Sequence, residues 1–185
     1  MGLKKFIGKT WLRLRGWTIV GNIPDDIKKC VIIAAPHTSI EDFIIGRMVY
    51  WVLGTPVKFL IKKEFFKTPV LRRMLLKMGG IPVDRSHSSN IVANVAALFK
   101  QYDNLNIVIT PEGTRKLVKQ WKRGFYYIAL KAQVPVILGF MDFKKKEGGF
   151  GPVLYPSGDF NADFKIIENF YKGKVAKYPE KFNLS

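Results

Sequence analysis

The sequence predicts an α/β fold: one domain over residues 1–185, with a mostly parallel mixed sheet flanked by helices and a basic amphipathic helix at the N-terminus. Two observations predict this fold. Short apolar runs suited to strands alternate along the chain with longer runs at helical spacing, which is the order that builds a parallel sheet. The 185 residues are 48% hydrophobic and 24% charged, which suits a globular domain with a sizeable core.

The first element is a helix within residues 1–16 that we expect to contact a membrane. Its apolar residues follow helical spacing along one side: Leu3, Phe6, Ile7, Trp11 and Leu14. Lysines and arginines take much of the remaining surface, with no acidic residue among them, which is typical of a helix lying at a lipid interface. In the alternative interpretation, the helix packs on the domain and only its basic side meets water.

The other elements follow in chain order. Strands are predicted at residues 17–20, 31–35, 57–61, 81–83, 106–110, 135–143 and 150–155. Helices are predicted at residues 40–53, 65–78, 89–102, 121–132 and 162–171. A turn at 144–149 joins the last two strands into a hairpin, which predicts an antiparallel edge to the sheet and makes residues 141–185 a C-terminal hairpin and helix.

The charge balance restricts the partners. A net charge of +17 indicates an anionic partner, and the 14% aromatic content suits a membrane interface at least as well as nucleic acid. The single cysteine, Cys30, allows no internal disulfide, and we expect a buried thiol. We find no secretory signal and no apolar run able to cross a bilayer about 30 Å thick, so we expect a soluble protein or one that lies on a membrane.

Two ionisable residues stand where the strand at 31–35 passes into the helix at 40–53. His37 follows this strand, and ligands of parallel sheets bind beyond the carboxyl ends of their strands. Ser39 and Asp42 form an S-x-x-D helix start, from which Asp42 can orient His37 as a general base. The base would act on a substrate hydroxyl, because no nucleophile of the protein's own is evident. A histidine that only caps or packs is the alternative.

Two arginines at strand ends predict a phosphate-binding surface. Arg85 follows the strand at 81–83, and Arg115 ends the T-P-E-G-T-R stretch after the strand at 106–110. Guanidinium groups offer forked donors that match a phosphate, and Gly113 lets the backbone approach a ligand closely. Taken singly, an arginine of this kind is more often a solvated surface residue.

Together these motifs resemble the glycerolipid acyltransferase family, typified by 1-acylglycerol-3-phosphate acyltransferase. Four blocks carry the resemblance in the family's order: H-x4-D at 37–42, G-I-P-V-D-R at 80–85, P-E-G-T-R at 111–115 and V-P-V-I at 134–137. Two lysines precede the second block, and an aromatic-Lys-x-Gly motif follows the third at 121–124. The blocks lie within roughly residues 31–140, which the resemblance identifies as the catalytic core.

The resemblance implies an acyl transfer that needs neither metal nor cofactor. His37, oriented by Asp42, would deprotonate the acceptor hydroxyl, and the oxygen would attack the thioester of acyl-CoA or acyl-carrier protein. Residues that the resemblance assigns to the acceptor's phosphate and glycerol are Arg85, Glu112, Gly113, Thr114 and Arg115, assisted by Lys62 or Lys63. Backbone amides near Val134, Pro135 and Val136 would bind the oxyanion.

The implied setting is a peripheral, monotopic protein on the cytoplasmic side of a membrane, without a transmembrane span. Its expected partners are an anionic membrane surface, the acyl donor and a lysolipid acceptor, but no nucleic acid. Departures at Pro36, Thr110 and Lys116 leave the acceptor open between 1-acylglycerol-3-phosphate and another lysolipid or aminolipid. A basic nucleic-acid-binding protein is the alternative of a different class.

Overall fold

The computed structural model describes residues 2–84 and 88–184, and it confirms the α/β fold. The strands are β1 (Thr18–Val20), β2 (Lys29–Ala35), β3 (Lys58–Lys62), β4 (Gly80–Val83), β5 (Leu105–Ile109), β6 (Val136–Asp142) and β7 (Glu147–Leu154). The helices are α1 (Leu3–Leu14), α2 (Ile40–Leu53), α3 (Pro69–Lys77), α4 (Ser88–Gln101), α5 (Gly124–Ala132) and α6 (Phe160–Tyr171). Two 3₁₀ turns, Lys63–Phe66 and Pro179–Lys181, complete the described elements.

The strands form one sheet in the order β1-β7-β6-β2-β5-β3-β4. Every neighbouring pair in this order is parallel except β6 and β7. The central strands β2 and β6 are buried almost throughout, as the continuous apolar run at 31–35 predicts. The carboxyl ends of β2, β3, β4, β5 and β6 therefore lie along one edge of the sheet, which we call the rim.

The predicted antiparallel edge is wrong in one respect. β7 pairs antiparallel with β6, but β1 pairs with β7 in parallel and forms the edge instead. Glycines permit this close approach: a Cβ on Gly149 would lie 2.0 Å from the carbonyl oxygen of Val20, and one on Gly21 would lie 2.1 Å from that of Phe150. The strand itself is predicted, but its position at the edge depends on missing side chains and leaves no periodic pattern in the sequence.

Two predicted helices begin later than their apolar patterns do. The predicted helix at 65–78 divides into the Lys63–Phe66 turn and α3, because Pro69 keeps Thr68 extended and then occupies the first helical position. The predicted helix at 121–132 begins only at Gly124. Trp121 belongs to the preceding loop, where its buried indole N–H donates to the carbonyl of Asn183 at 2.8 Å.

The helices cover the two faces of the sheet. α2 packs on the face formed by residues such as Ile32 and Ile137, while α4, α5 and α6 bury their apolar sides against the opposite face. α3 lies in the same layer as α2, as right-handed crossovers require, and the Arg47 guanidinium of α2 donates to the Met78 carbonyl at 2.7 Å. Functional groups at the rim thus sit between two helix layers.

α1 packs on the outside of α2, so part of its apolar side is used within the domain. Leu12 is buried, and Gly8 allows close packing because a Cβ there would lie 2.9 Å from the Met48 carbonyl oxygen. Leu3, Phe6 and Leu14 remain exposed. Within the described residues, no helix combines the length and apolar character needed to cross a membrane.

The sheet opens near the rim. β3 shares a register with β5 at only two positions, where Lys58 faces Ile107 and Phe59 faces Val108. Beyond these positions, β3 pairs only with β4, and β5 pairs only with β2. The rim ends of β3 and β5 therefore separate, which leaves space between strands that are otherwise neighbours.

Candidate active site

His37 and Asp42 meet at the rim, as the motif predicts. The Nδ1 of His37 lies 3.4 Å from Oδ2 of Asp42, and the two side chains are 20% and 1% exposed. Catalytic contacts are commonly this long before substrate binding tightens them. The arrangement leaves Nε2 of His37 as the ring nitrogen turned away from the carboxylate, in the position of a base with an orienting partner.

The start of α2 holds Asp42 in place. Its Oδ2 accepts the backbone N–H groups of Thr38 and Ser39, both at 2.7 Å. The Ser39 hydroxyl in turn accepts the N–H of Glu41 at 3.2 Å, which completes the predicted helix cap. The aspartate therefore orients the imidazole from a position fixed by the helix terminus.

Glu112 is buried against the backbone of His37, whereas the resemblance implies that it holds the acceptor. The glutamate is 3% exposed, and its Oε1 accepts the backbone N–H of His37 at 2.9 Å. Glu112 and Asp42 together bind three consecutive backbone amides, those of residues 37, 38 and 39. A second buried carboxylate thus positions the loop that carries the histidine.

Burial raises the pKa of Glu112 from 4.5 to about 7, and the nearby Asp42 carboxylate adds to the rise. Hydrogen bonds from its own backbone and from the N–H of His37 oppose the shift, as does the charge of His37. The Oε2 of Glu112 and the Oδ1 of Asp42 have no hydrogen-bond partner within the described residues. The site therefore contains two closely spaced buried carboxyl groups.

A largely apolar cavity of about 500 Å³ opens beside the imidazole. His37 and Asp42 line it together with apolar residues from both helix layers, among them Phe43, Tyr50, Val92 and Ile128. Leu60 of β3 and Ile109 of β5 line the region where these strands separate. The gap in the sheet thus becomes an apolar chamber that a hydrocarbon chain could fill.

The loop after β5 brings a cation to the cavity. Gly113 adopts a left-handed conformation, with φ of +66°, and a Cβ there would lie 2.9 Å from the Nζ of Lys122. Both residues line the cavity. Thr114 and Arg115 are exposed on the same loop, and neither lines the cavity. The loop thus places one ammonium group beside the cavity, with a guanidinium further out.

The two predicted lysines, Lys62 and Lys63, lie outside the lining of the cavity. Lys63 forms an ion pair with Asp84, which joins the rim ends of β3 and β4 and raises the pKa of the lysine. Lys62 is exposed, and neither lysine lines the cavity. Arg85 lies outside the described residues.

The oxyanion region implied by the resemblance does not reach the site. Val136 is in register with Val31, at the opposite end of β2 from the rim, roughly 13 Å before Ala35 at about 3.3 Å per residue. The N–H of Val134 donates to the Ala129 carbonyl at 3.1 Å, and Pro135 has no N–H to offer. These amides are therefore unsuited to bind an oxyanion beside His37.

The acyltransferase family model matches residues 18–137 of this chain. The chain belongs to the acyltransferase family. It is similar to the human 1-acyl-sn-glycerol-3-phosphate acyltransferase beta, with 29% identity over 153 residues, or 79% of this chain and 47% of that protein. It is also similar to the 1-acyl-sn-glycerol-3-phosphate acyltransferase of Limnanthes douglasii, with 26% identity over 115 residues, or 60% of this chain and 40% of that protein. The chain thus spans less than half the length of these relatives.

A solved structure supports the fold. The crystal structure of the 1-acyl-sn-glycerophosphate (LPA) acyltransferase PlsC from Thermotoga maritima aligns with a TM-score of 0.64 and 19% identity, over 94% of this chain and 80% of that one. At this identity the likeness concerns the fold alone. The family match and the curated relatives together confirm the resemblance to glycerolipid acyltransferases.

Sequence reasoning missed two features of this acyltransferase site. The first is Lys122, whose ammonium group lies close to Gly113. The signal for it was the lysine of the W-K-R-G motif at 121–124. The second is the apolar lining of the cavity. The sequence does not reveal it, because lining residues such as Gly46 and Val92 follow the same helical spacing as ordinary core residues. Among the described residues, no group of three or more His, Cys, Asp or Glu side chains could hold a metal ion.

Proposed function

We propose that this acyltransferase moves a fatty acyl group from acyl-CoA or acyl-carrier protein to the hydroxyl of a lysolipid. The acceptor is 1-acylglycerol-3-phosphate, and the product is phosphatidic acid. The observation that carries the proposal is the His37–Asp42 pair at the wall of an apolar cavity of about 500 Å³. The names of the curated relatives support the choice of acceptor.

The chemistry requires one proton to move twice. Nε2 of His37 takes the proton of the acceptor hydroxyl while Asp42 stabilises the resulting imidazolium. The acceptor oxygen then bonds to the thioester carbonyl carbon, the carbon–sulfur bond breaks, and the departing thiolate takes the proton from His37. A thioester is electrophilic, so positioning and a single base suffice for the transfer, which needs no covalent acyl-enzyme.

The cavity accounts for the lipid part of the substrates. Its walls are apolar around Phe43, Tyr50 and Ile128, and an acyl chain placed there would gain about 0.8 kcal/mol for each buried methylene. The carbonyl end of the chain would then lie beside His37. This arrangement keeps the reacting carbonyl at the rim and the hydrocarbon within the protein.

The cations of the rim account for the acceptor's phosphate. Lys122 lies nearest to the cavity and would hold an anionic headgroup there, with Arg115 further out on the same loop. Gly113 and Thr114 belong to the same loop, and Lys63, which follows β3, would assist in holding the headgroup. An acceptor without a phosphate, such as a lysolipid with a neutral headgroup, would not use these cations.

The charge of the chain supports a reaction on a membrane. With a net charge of +17, the protein is attracted to anionic lipid, where a lysolipid acceptor and its product reside. The exposed apolar residues of α1, including Phe6 and Leu14, would rest in the interface on the cytoplasmic side. The attachment is peripheral.

Replacing the base tests the mechanism. His37→Ala should lower turnover by about 10²–10⁴-fold, because the acceptor hydroxyl loses its base. The fold should persist, since the backbone N–H that binds Glu112 is retained and the side chain is partly exposed. Thiol release from acyl-CoA and from acyl-carrier protein, in the presence of the acceptor, measures the rate. Unchanged turnover in a folded His37→Ala variant would show that this histidine is not the base.

Asp42→Asn is the matched variant, because asparagine keeps an oxygen for the amides of Thr38 and Ser39 but loses the charge. It should lower kcat more than it changes KM.

A mass-spectrometric screen of lysolipid acceptors then decides the substrate. Efficient acylation of a neutral aminolipid, with none of 1-acylglycerol-3-phosphate, would contradict the assigned acceptor while leaving the mechanism intact.

A further inference from the structure

α3 has an apolar surface that the domain does not cover. No residue of α3 is buried, whereas Val70 is 84% exposed and Met74 is 50% exposed. These two side chains share one side of the helix with Arg73 and Lys77, since the four positions follow i, i+3, i+4 and i+7. Leu71 and Leu75 point the other way and are partly buried.

The surroundings of this surface are cationic. Residues 62–77 include a single acid, Glu64, and six cations: Lys62, Lys63, Lys67, Arg72, Arg73 and Lys77. In the described part of the chain, only Lys63 of these cations forms an ion pair. A large exposed aliphatic side chain beside unpaired cations is the arrangement of a helix that lies in an anionic lipid interface.

The position of α3 relates this surface to the active site. The Lys63–Phe66 turn leaves the rim end of β3 and leads directly into α3, so the first turn of the helix lies near the rim. α3 also shares its helix layer with α2, whose exposed Ile40 follows His37 by three residues. Two exposed apolar side chains of this layer, Ile40 and Val70, thus lie near the rim, where His37 lines the cavity.

We infer that α3 is a membrane-insertion element: Val70 and Met74 enter the acyl boundary of an anionic leaflet, and Arg73 and Lys77 bind its phosphates. This inference deepens the proposed membrane location by assigning it to α3, in addition to α1. The helix would hold the rim against the leaflet, so that the acceptor reaches His37 without crossing water.

The observations favour a bilayer over a protein partner. An acidic protein partner would explain the cations Arg73 and Lys77. It would not explain why the apolar side chain of Val70 is 84% exposed on a helix with no buried residue. A second copy of this chain would bring the same cations into repulsion, because the surface has no acid of its own.

A double substitution with a matched control tests the inference. Arg73→Glu with Met74→Asp reverses one charge and makes one exposed apolar position acidic. Lys165→Glu with Ile166→Asp makes the same change in charge on α6, where Ile166 is 51% exposed on the opposite face of the sheet. Vesicle sedimentation compares phosphatidylcholine alone with an equal mixture of phosphatidylcholine and phosphatidylglycerol.

The α3 variant should bind the anionic vesicles about tenfold or more weakly than the unsubstituted chain, and the α6 variant should bind within about threefold. Turnover of a short-chain, water-soluble thioester and lysolipid should be the same in all three proteins. Equal losses of vesicle binding in the two variants would overturn the inference. So would a shift from dimer to monomer in the α3 variant alone with unchanged vesicle binding, or loss of binding to an acidic carrier protein with unchanged vesicle binding.

This experiment separates the inference from the proposed function. Vesicle binding requires no catalysis, so it can succeed even if the chain acylates nothing. Conversely, turnover of the water-soluble substrates can succeed even if α3 does not touch lipid.

Discussion

Glu112 connects the two motifs of the site through a single hydrogen bond. Its carboxylate accepts the N–H of His37 at 2.9 Å, so the P-E-G-T-R loop positions the backbone of the histidine. The same burial that fixes this contact raises the pKa of Glu112 to about 7. The residue therefore links the stability of the active-site loop to pH.

The raised pKa predicts the direction of the pH dependence. In the unfolded chain Glu112 ionises near its ordinary pKa of 4.5, whereas in the folded chain it keeps its proton until about pH 7. Its contribution to the free energy of unfolding is thus greatest below pH 4.5, falls as the pH rises to about 7, and is constant above. The full change is about 3 kcal/mol.

Glu112→Gln should remove this contribution, because the amide oxygen still accepts the His37 N–H but the side chain does not ionise. Urea unfolding at several values between pH 5 and 8 measures the effect, as the difference between the two proteins. The unsubstituted chain should lose stability relative to the variant as the pH rises. Parallel pH profiles would contradict the assignment of the raised pKa to Glu112.

The residues of the site show where sequence reasoning reaches its limit. His37 and Asp42 could be predicted because a helix cap and a strand end fix their separation locally. The role of Glu112 could not, because its burial depends on the contact with β2 and the loop after it, which are about 75 residues away in the chain. The position of the implied oxyanion residues 134–136 could not be predicted for a related reason: only the register of the sheet shows that they lie at the end of β6 opposite the rim.

At the scale of elements, the segment after α6 ties the active-site loops together. Beyond residue 172 the chain crosses the rim, where the N–H of Phe143 donates to the Val175 carbonyl at 2.8 Å and that of Tyr178 donates to the Thr38 hydroxyl at 3.2 Å. Lys177 forms an ion pair with Glu41 at 2.6 Å. The segment then reaches Trp121 through the Asn183 carbonyl. It thus connects the loop of His37 to the loop after β5.

Thr38→Val tests this connection. Valine has the shape of threonine but cannot accept the Tyr178 N–H, so the free energy of unfolding should fall by about 1–3 kcal/mol. The kcat should fall as well, because Thr38 adjoins the base. Thr38→Ser keeps the hydroxyl and should retain both the stability and the kcat of the unsubstituted chain. Equal behaviour of the valine and serine variants, in urea unfolding and in turnover, would show that the hydrogen bond is unimportant.

Most elements could be predicted because their patterns are local, and the exceptions have causes that periodicity does not record. Pro69 divides a continuous basic, apolar run into a 3₁₀ turn and α3. The edge position of β1 depends on the missing side chains of Gly21 and Gly149. The C-terminal segment beyond residue 172 has no regular pattern, and its path is set by hydrogen bonds to residues far away in the sequence.

At the scale of the whole molecule, the cavity exists because the sheet is incomplete. β3 and β5 pair at only two positions, Lys58 with Ile107 and Phe59 with Val108. Beyond these positions, side chains from both helix layers line the space between the two strands. No single element contains this chamber, so no local pattern predicts it. Its volume of about 500 Å³ limits how much hydrocarbon the protein can bury.

Gly46 of α2 offers a way to change that volume without disturbing the fold. It lines the cavity, and a Cβ added there would lie 3.7 Å from Cε2 of Tyr50, which is an ordinary contact. A leucine at this position would therefore extend into the cavity. Leucine also favours a helix over glycine by about 1 kcal/mol, so the variant should remain folded.

Gly46→Leu should shift the preference of the enzyme toward shorter acyl donors. Each methylene that no longer fits costs about 0.8 kcal/mol of binding, or about fourfold in kcat/KM, so donors that fill the cavity should lose most and short donors least. Competition between acyl thioesters of different length, with products resolved by mass spectrometry, measures the shift. Gly46→Ala adds only one methyl group and should move the profile slightly in the same direction. A profile that stays fixed while overall turnover falls would mean that the acyl chain binds elsewhere, because a chain held between the two helix layers must respond to the volume they enclose.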